Sequence, residues 1–349
     1  MTNETRDYSI DPGSADIERM HELASGQAVS ASLYALVQLN LVDRLLMGPR
    51  SALSLAKEID ANEDALYRLL RTVACLGVLE ESGERVFELT PLGATLRADS
   101  PRSLRPFVLM TGADWHREVW GELTHSVKTG SPSFVKIHGT DLFSFMHERR
   151  DVWQNFNETM TSLSTIVNDV VPDVFDFSRF QRIVDIGGGH GSLIAAILRK
   201  NPEHVKGVLF DLPEVIRGAE PHLARLGVRE RCELIPGNFD AGIPLGGDVY
   251  IIKRFLHGFD DARCIATLDK LRGALEPGGR VLVIEMVVAE PNRGLRSKVD
   301  DLEMLTLTRW GRERTLGEYE DLFRRAGLAL MRAEPLPLDM YVIEGSRAH

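Results

Sequence analysis

The chain has 349 residues, 44% of them hydrophobic and 26% charged, which suits a globular protein with room for two domains. Its net charge of −10 argues against a nucleic-acid partner, because phosphate contacts draw on clustered Lys and Arg. No apolar run reaches the ~20 residues of a membrane span, and the three scattered cysteines fit neither a disulfide scaffold nor a zinc site, so a cytoplasmic protein is expected.

Three helical patterns and a β-hairpin near the N-terminus predict a winged-helix-like domain over residues 16–110. Residues 1–15 are polar, lack a signal-peptide pattern and are expected to form a flexible segment. The three helices and the hairpin are expected at residues 31–46, 54–59, 63–76 and 78–89. The hairpin turn falls on Ser82-Gly83, a pair typical of tight turns.

A winged helix raises DNA binding as a hypothesis. The helix in the recognition position opens with Glu63 and Asp64 and offers only Arg68 and Arg71 as cations. Residues 1–110 hold 11 Lys and Arg against 16 Asp and Glu, a balance opposed to phosphate contact. The domain is therefore interpreted as a dimerisation and lid module, and a DNA-binding regulator is the remote alternative.

Residues 111–180 are helical and rich in large side chains, which predicts a helical linker that also borders a substrate pocket. Large apolar side chains here and later in the chain suit a flat aromatic or polyketide ring, although each would serve equally well in a core. The candidates for substrate contact are Trp153, Phe156, Met160, Met304, Thr308 and Trp310.

Apolar strands alternate with helical patterns over residues 181–349, which predicts an α/β domain with a mostly parallel, doubly wound sheet. Seven strands are expected at 182–187, 205–211, 232–237, 247–253, 279–287, 328–336 and 339–345. Helices are expected at 191–200, 213–226, 261–275 and 316–326. Only Pro337-Leu338 separates the last two strands, too little for a crossover, so these two strands are predicted to form an antiparallel hairpin.

The first strand of this domain leads directly into a glycine-rich turn and a helix. Such a turn brings the backbone close to a nucleoside ligand, because glycine tolerates positive φ and has no Cβ to obstruct the approach. Ser192 stands where a dinucleotide-binding fingerprint needs its third glycine. The pattern Gly187-x-Gly189-x-Gly191 is instead the form usual at adenosyl-methionine sites, and a plain tight turn is the alternative.

Asp211 closes the second strand of the same βαβ unit. A carboxylate at this position can accept two hydrogen bonds from a ribose diol. The segment from Asp211 to Glu214 also looks like a helix start, so capping is an alternative role that is compatible with sugar binding.

On these motifs the chain resembles the small-molecule O-methyltransferases of the caffeate/hydroxyneurosporene type, in the branch of bacterial enzymes that decorate antibiotics. The segments that carry the resemblance are 184–191, 210–213, 237–239, 253–257, 275–285 and 311–315. It covers about residues 15–345 and implies a Rossmann-like class I methyltransferase domain preceded by a winged-helix dimerisation domain. A homodimer, an aromatic small-molecule substrate and S-adenosyl-L-methionine as cofactor follow from the same resemblance.

The resemblance also implies a cofactor site. Gly187, Gly189 and Gly191 would hold the methionine part of the cofactor, and Lys253 would lie near its amino-acid end. The other expected members are Asp185, Asp211 at the ribose, Leu212, and Asn238 and Phe239 at the adenine. The family usually has Asp where Asn238 stands. Asn keeps a carbonyl acceptor but loses the charge, so modestly weaker binding is expected, and a turn role for Asn238 is the alternative.

A histidine flanked by two glutamates takes the proton from the acceptor hydroxyl in the plant phenolic enzymes of this family, and the matching residues are His257, Glu285 and Glu313. His257 follows one strand and Glu285 lies at the corresponding end of the next, so both are expected at the carboxyl edge of the sheet, and a capping role without chemistry is the alternative for His257. Histidine accepts a proton readily at pH 7, and no metal is expected because no ligand cluster has metal-site spacing. A related fold that binds the cofactor but hydroxylates, decarboxylates or rearranges its substrate is the main alternative.

Overall fold

The protein is described by a computed structural model over residues 13–348, in two units that meet between His116 and Arg117. Most of the expected flexible segment, residues 1–12, lies outside the described residues. Its last residues belong to a helix that begins at Ser14. No helix within the described range is long and apolar enough to cross a membrane.

The first unit combines helices with a small three-stranded sheet, as the winged-helix pattern predicts. Its elements are α1 (Ser14–Ala24), α2 (Gly26–Gln38), α3 (Leu41–Arg44), β1 (Arg50–Ser51), α4 (Ala52–Glu58), α5 (Glu63–Cys75), β2 (Leu79–Gly83), β3 (Val86–Leu89), α6 (Arg105–Gly112) and α7 (Asp114–Gly121), which crosses the boundary. The expected hairpin is β2–β3, and β1 pairs with the other edge of β3. Fully buried Leu36, Leu55, Leu70 and Phe87 join the helices and the wing in one core.

The helix expected over residues 31–46 is wrong in its extent. The structure has two helices here, α2 and α3, because Asn40 adopts a left-handed φ of 54° through which a right-handed helix cannot continue. Asparagine tolerates this conformation better than most residues, so the break falls where the chain can adopt it at little cost.

Cations on α5 and the wing contact side chains of their own domain. Arg68 pairs with Asp64 at 2.9 Å, and Arg71 lies over the Tyr67 ring. Arg85 from the wing lies 4.5 Å from the centroid of the same ring and faces Glu63. The acidic first turn of α5 thus offsets part of the positive charge that a phosphate backbone would need.

The second unit is the α/β domain. After α7 its helices are α8 (Leu123–Thr129), α9 (Ser133–His138), α10 (Leu142–His147), α11 (Arg150–Asn168), α12 (Val171–Val174), α13 (Ser192–Lys200), α14 (Pro213–Arg225), α15 (Asp261–Ala274), α16 (Leu295–Leu307) and α17 (Leu316–Arg325). Its strands are β4 (Arg182–Ile186), β5 (Lys206–Asp211), β6 (Cys232–Pro236), β7 (Gly247–Lys253), β8 (Leu275–Val288), β9 (Arg314–Thr315), β10 (Leu328–Pro335) and β11 (Met340–Arg347).

The sheet has the order β10-β11-β8-β7-β4-β5-β6, with β4 to β8 parallel and β11 antiparallel to both of its neighbours. The fold class expected from the sequence is therefore confirmed, down to the terminal hairpin. Short β9 adds an eighth strand that pairs with the end of β8. β8 also begins at Leu275 rather than 279, because Leu275 pairs with Gly247 before a shift in register.

This topology decides where a ligand can bind. β5 lies on one side of β4 and β7 on the other, so the chain reverses its progress across the sheet at β4. A crevice opens beyond the carboxyl ends of the strands at such a switch point. The loops after β4, β5, β7 and β8 all emerge at this edge, and they carry the three glycines, Leu212 and His257, while Asp211 and Lys253 end their strands.

Candidate active site

The glycine turn after β4 has the backbone conformation that requires glycine. Gly187, Gly189 and Gly191 have φ angles of 67°, 62° and 84°, where any other side chain would be strained. A Cβ on Gly188 would lie 2.5 Å from Asp185 Oδ2, whereas the space next to Gly189 is open to 4 Å. The turn is thus packed against the sheet on its inner side and accessible at Gly189, which fits a ligand lying against the backbone.

Asp211 ties the end of β5 to this turn. Its Oδ2 accepts a hydrogen bond from the Gly189 amide at 2.8 Å, and its Oδ1 accepts one from the Leu212 amide at 2.7 Å. Each carboxylate oxygen keeps a second lone pair, so both can still accept from a ribose diol. Helix α14 begins at Pro213 with no side-chain cap, so Asp211 does not have the capping role that the sequence also allowed.

Buried charges lie behind the glycine turn. Burial raises the pKa of Asp185 to about 7, with the Lys253 charge opposing the shift and that of Asp211 adding to it. Burial lowers the pKa of Lys253 to about 8, and its Nζ donates to Asn168 Oδ1 at 2.7 Å. Asn168 ends α11 and was missed by the sequence reasoning, because nothing local links it to a strand 85 residues away.

The residues expected at the adenine have partners of their own. Asn238 Oδ1 accepts a hydrogen bond from the Asp240 amide at 2.8 Å, which is the turn role named as its alternative. The Phe239 ring packs 5.2 Å from that of Phe255, and Lys270 Nζ lies 4.7 Å from the Phe239 centroid. One lone pair of the Asn238 oxygen therefore remains for a ligand amino group.

Glu313 orients the His257 imidazole. Its Nδ1 lies 2.9 Å from Glu313 Oε1, and the two side chains are 14% and 2% exposed. The Glu313 amide donates to Asp301 Oδ1 at 2.9 Å, which anchors the carboxylate's own segment. Because a carboxylate only accepts hydrogen bonds, this contact places the proton on Nδ1 and leaves Nε2 as a proton acceptor.

Glu285 contacts the loop rather than the imidazole. Its fully buried Oε1 accepts hydrogen bonds from the amides of Phe255 and Leu256 at 2.6 and 2.7 Å. Burial raises its pKa above the usual range, and the nearby charge of Glu313 adds to the shift. Glu285 therefore fixes the backbone that precedes His257.

The fold also gathers a group of possible metal ligands that no local spacing indicated. One ligand atom from each of His257, Glu285 and Glu313 lies within 4.8 Å of the other two. Two carboxylates and an imidazole at this spacing could in principle coordinate a cation. Glu285 Oε1 and His257 Nδ1, however, already make the hydrogen bonds described above.

Arg314 is a further member of this corner that the sequence reasoning missed. Its side chain is fully buried and donates to the carbonyls of Leu256 at 3.2 Å and Phe259 at 2.8 Å. It also pairs with Asp261 at 2.8 Å. Arg314 thus holds both ends of the loop that carries His257. Its position directly after Glu313 was the only signal in the sequence.

The six substrate candidates are not all in one place. Met160 lines a cleft at the end of β7, and Met304 and Thr308 pack around Gly311 beside the His257 carbonyl. The Trp153 ring packs against His147, and the Phe156 ring packs against Phe143. Trp310 is 58% exposed beneath Arg309, so its ring does not line this cleft.

The cleft lies at the ends of β7 and β8. Its walls come from α11, the ends of β7 and β8, α16 and the start of β11. The lining residues are Met160, Leu163, Ser164, Val167, Lys253, Arg254, Met286, Arg296, Leu338 and Met340.

The fold and this edge of the sheet define a class I methyltransferase. Residues 120–329 match the family model of the O-methyltransferase domain, and residues 21–99 match that of the O-methyltransferase dimerisation domain. The chain therefore belongs to the O-methyltransferase family, as its motifs predict.

Several of its relatives come from bacterial natural-product chemistry. The chain is 37% identical over 323 residues to phenazine O-methyltransferase PhzM of Lysobacter antibioticus, covering 93% of this chain and 94% of that protein. It is 34% identical over 322 residues to 8-amino-8-demethylriboflavin N,N-dimethyltransferase of Streptomyces davaonensis, with 91% and 92% covered. The solved structure of CalO1, a methyltransferase in calicheamicin biosynthesis in its SAH-bound form, matches with a TM-score of 0.89 at 32% identity, covering 97% of this chain and 100% of that chain.

Proposed function

We propose that this enzyme transfers the methyl group of S-adenosyl-L-methionine to a hydroxyl of an aromatic or polyketide-type small molecule, with His257 as the general base. The observation that carries the proposal is the 2.9 Å contact between His257 Nδ1 and buried Glu313, because it leaves Nε2 free to accept a proton. The cofactor itself is confirmed at the level of the family.

The residues at the sheet edge fit this cofactor. Open space next to Gly189 and the lone pairs of Asp211 suit a nucleoside, and Lys253 offers a cation for a carboxylate. When bound, S-adenosyl-L-methionine supplies an electrophilic methyl group on sulfur. The glycine turn, Asp211 and Lys253 would hold it, together with Asp185 behind the turn, Leu212 next to Asp211, and Asn238 and Phe239 at the adenine.

The chemical work left to the chain is to orient the acceptor and to remove its proton. His257 accepts the hydroxyl proton at Nε2, and Glu313 stabilises the resulting imidazolium across the Nδ1 contact. Glu285 and Arg314 keep the loop in place during this transfer. Positioning should dominate, since effective molarities reach about 10⁵–10⁸ M whereas a general base contributes about 10²–10⁴-fold.

Replacing His257 with Ala tests the proposal directly. We expect kcat to fall by about 10²–10⁴-fold on a hydroxylated aromatic acceptor, with the affinity for S-adenosyl-homocysteine nearly unchanged. His204→Gln is the matched control, because exposed His204 precedes β5 at the opposite edge of the sheet. Mass spectrometry of the methylated acceptor gives the rate, and calorimetry gives the affinity. Full turnover in the His257→Ala variant would remove His257 from the mechanism.

The reaction products separate O-methylation from its alternatives. Methyl transfer releases S-adenosyl-homocysteine, whereas hydroxylation, decarboxylation or rearrangement of the substrate by a non-methylating relative would not. N-methylation is favoured as a second candidate by the named activity of the riboflavin-type relative. Incubation of aminophenols with ¹³C-methyl-labelled cofactor separates O-methylation from N-methylation, because methyl carbons on oxygen and on nitrogen have different NMR shifts.

We further infer that the enzyme works as a homodimer through its dimerisation domain, which we assign to residues 16–110, with residues 111–180 as the linker and 181–349 as the cofactor domain. On α1, Ile17, Met20 and Leu23 recur every third residue and are more than half exposed. Such a stripe is suited to burial against a second copy. Light scattering should give twice the chain mass, and Met20→Asp should shift it toward the monomer. A monomeric wild type at micromolar concentration would refute the dimer.

A further inference from the structure

The cleft at the ends of β7 and β8 combines an apolar wall with a group of cations. Five of its residues are large and apolar: Met160, Leu163, Met286, Leu338 and Met340. Three are cationic: Lys253, Arg254 and Arg296. No acidic residue lines the cleft. An apolar slot suits an aromatic ring, but three cations around it need negative charge from elsewhere.

Lys253 already has compensation within the protein. Its Nζ donates to Asn168, and the charge of buried Asp185 acts on it. These two partners, Asn168 and Asp185, fit the role proposed for Lys253 at the amino-acid end of the cofactor. The unexplained charge in the cleft is therefore that of the two arginines.

Neither guanidinium has a partner of its own. Over residues 13–348, the side chains of Arg254 and Arg296 form no hydrogen bond and no ion pair within 4.0 Å, and Arg296 Nε is buried without an acceptor. Asp300 is near enough for both charges to act on it, yet it bonds to neither. Two guanidinium groups that bond no carboxylate, in a partly desolvated place, can both donate to an anionic ligand.

The backbone makes a specific adjustment that turns Arg254 toward the cleft. Consecutive residues of a strand point to opposite faces, so Lys253 and Arg254 should not line the same cavity. Arg254 has a φ of 50°, in the left-handed region that non-glycine residues rarely occupy, and this ends the alternation directly after β7. Such outliers persist where the surroundings enforce them and concentrate at functional sites.

We propose that Arg254 and Arg296 bind a carboxylate carried by the aromatic acceptor, so that the substrates are hydroxylated aromatic acids. The proposal rests on the function proposed above and names its substrate class. A guanidinium presents paired N–H donors that match a carboxylate, and the Met and Leu side chains contact the ring. Arg254 lies three residues before His257, so the arginines would anchor the acid at the same sheet edge as the base.

Matched acceptors test this assignment. The probes are 3-hydroxy-2-naphthoate and its neutral amide, 3-hydroxy-2-naphthamide, together with 3-amino-4-hydroxybenzoate and its amide. We expect the wild type to prefer each acid over its amide by about 10- to 100-fold in kcat/KM, as charge-assisted hydrogen bonds imply. Arg254→Gln and Arg296→Gln should each reduce that preference to a few-fold. Arg199→Gln, which removes an exposed arginine from α13, should keep it.

Binding measurements keep the test independent of turnover. Calorimetry with the acids in the presence of S-adenosyl-homocysteine should show weaker binding in both arginine variants, even if no probe is methylated. Absence of methylation with intact binding would count against the proposed function and not against this site. Equal binding of acid and amide by the wild type would overturn the inference. So would a loss of S-adenosyl-homocysteine affinity in the variants equal to the loss for the acids, because the arginines would then serve the cofactor's carboxylate.

Discussion

Replacing Arg314 with Met should loosen the loop that carries His257. The change removes the guanidinium that donates to the carbonyls of Leu256 and Phe259. The Leu256 carbonyl still accepts from the Phe259 amide, whereas the Phe259 carbonyl is left with only the weak thiol donor of Cys264. An unsatisfied buried acceptor costs about 1–3 kcal/mol. Removing a buried charge returns part of this, and a net loss of about 1–2 kcal/mol in unfolding free energy is expected.

Activity should fall for a separate reason. A displaced loop misaligns the His257 imidazole, and a shift of about 1 Å costs on the order of 10²-fold in rate. We expect this loss in kcat at 15 °C, where the variant stays folded, with the affinity for S-adenosyl-homocysteine unchanged. Urea unfolding measures the stability, and mass spectrometry of the methylated acceptor measures the rate.

Asp261→Asn is the control for the Arg314 variant. It breaks the ion pair but leaves both carbonyl contacts, and Asp261 is 46% exposed, so its loss should cost less than about 1 kcal/mol and little activity. If Asp261→Asn matched Arg314→Met in both assays, the ion pair rather than the carbonyl clamp would be the important contact. If Arg314→Met lost stability but kept full kcat, the positioning role would be wrong.

Three further predictions concern single charges at the site. Glu313→Gln should lower kcat by about 10- to 100-fold across the pH–rate profile, because the amide still accepts from Nδ1 but no longer stabilises an imidazolium; an unchanged profile would contradict this. The raised pKa of Asp185 means that the folded chain holds this proton more tightly than the unfolded chain, so its contribution to stability falls as pH rises from about 4 to about 7. Asp185→Asn should remove that slope in urea unfolding at a series of pH values, and a parallel pH profile would argue against the burial effect. Asn238→Asp should tighten S-adenosyl-homocysteine binding about 2- to 10-fold by calorimetry, since Asp keeps the turn bond to Asp240 and adds a charge for an adenine amino group; weaker binding would place the adenine elsewhere.

Much of the fold could be predicted because its signals are local. Apolar runs ended by glycine or by a cap mark the parallel strands and the helices between them, and the short link at Pro337 forces the terminal hairpin. Where local signals mislead, the error is also local. The pattern across Asn40 has helical spacing, but a single left-handed residue divides it into two helices.

The sequence indicated which residues belong to the site more fully than it indicated which contacts they make. Because each lies at or just after the end of a predicted strand, His257, Glu285 and Asp211 were expected at one edge of the sheet. The observed strand order places them there. Spacing does not say which atom each carboxylate meets. Glu285 bonds to backbone amides, whereas Glu313 bonds to the imidazole.

Apart from the position of Arg314 directly after Glu313, the long-range contacts of charged residues had no sequence signal. Arg314 reads as one more surface arginine in a polar segment, yet it is fully buried. Arg254 and Arg296 lie 42 positions apart and line the same cleft only because α16 packs against β8 in the folded chain. Charge is ordinarily a sign of exposure, so a buried arginine is recognised only from its partners.

Two buried carboxylates beside one histidine would be costly if they did the same work. One oxygen of each instead bonds to a different neighbour: Glu285 Oε1 accepts from two amides that precede His257, and Glu313 Oε1 contacts the ring itself, while both Oε2 atoms are buried without a hydrogen bond. Arg314 satisfies the carbonyls on the other side of the same loop. The polar groups buried here thus restrict the loop, its carbonyls and the ring separately, and in the proposed mechanism only the ring exchanges a proton. Because alignment contributes more than the base to such a transfer, the burial of three charged side chains around one histidine is best understood as the cost of holding it still.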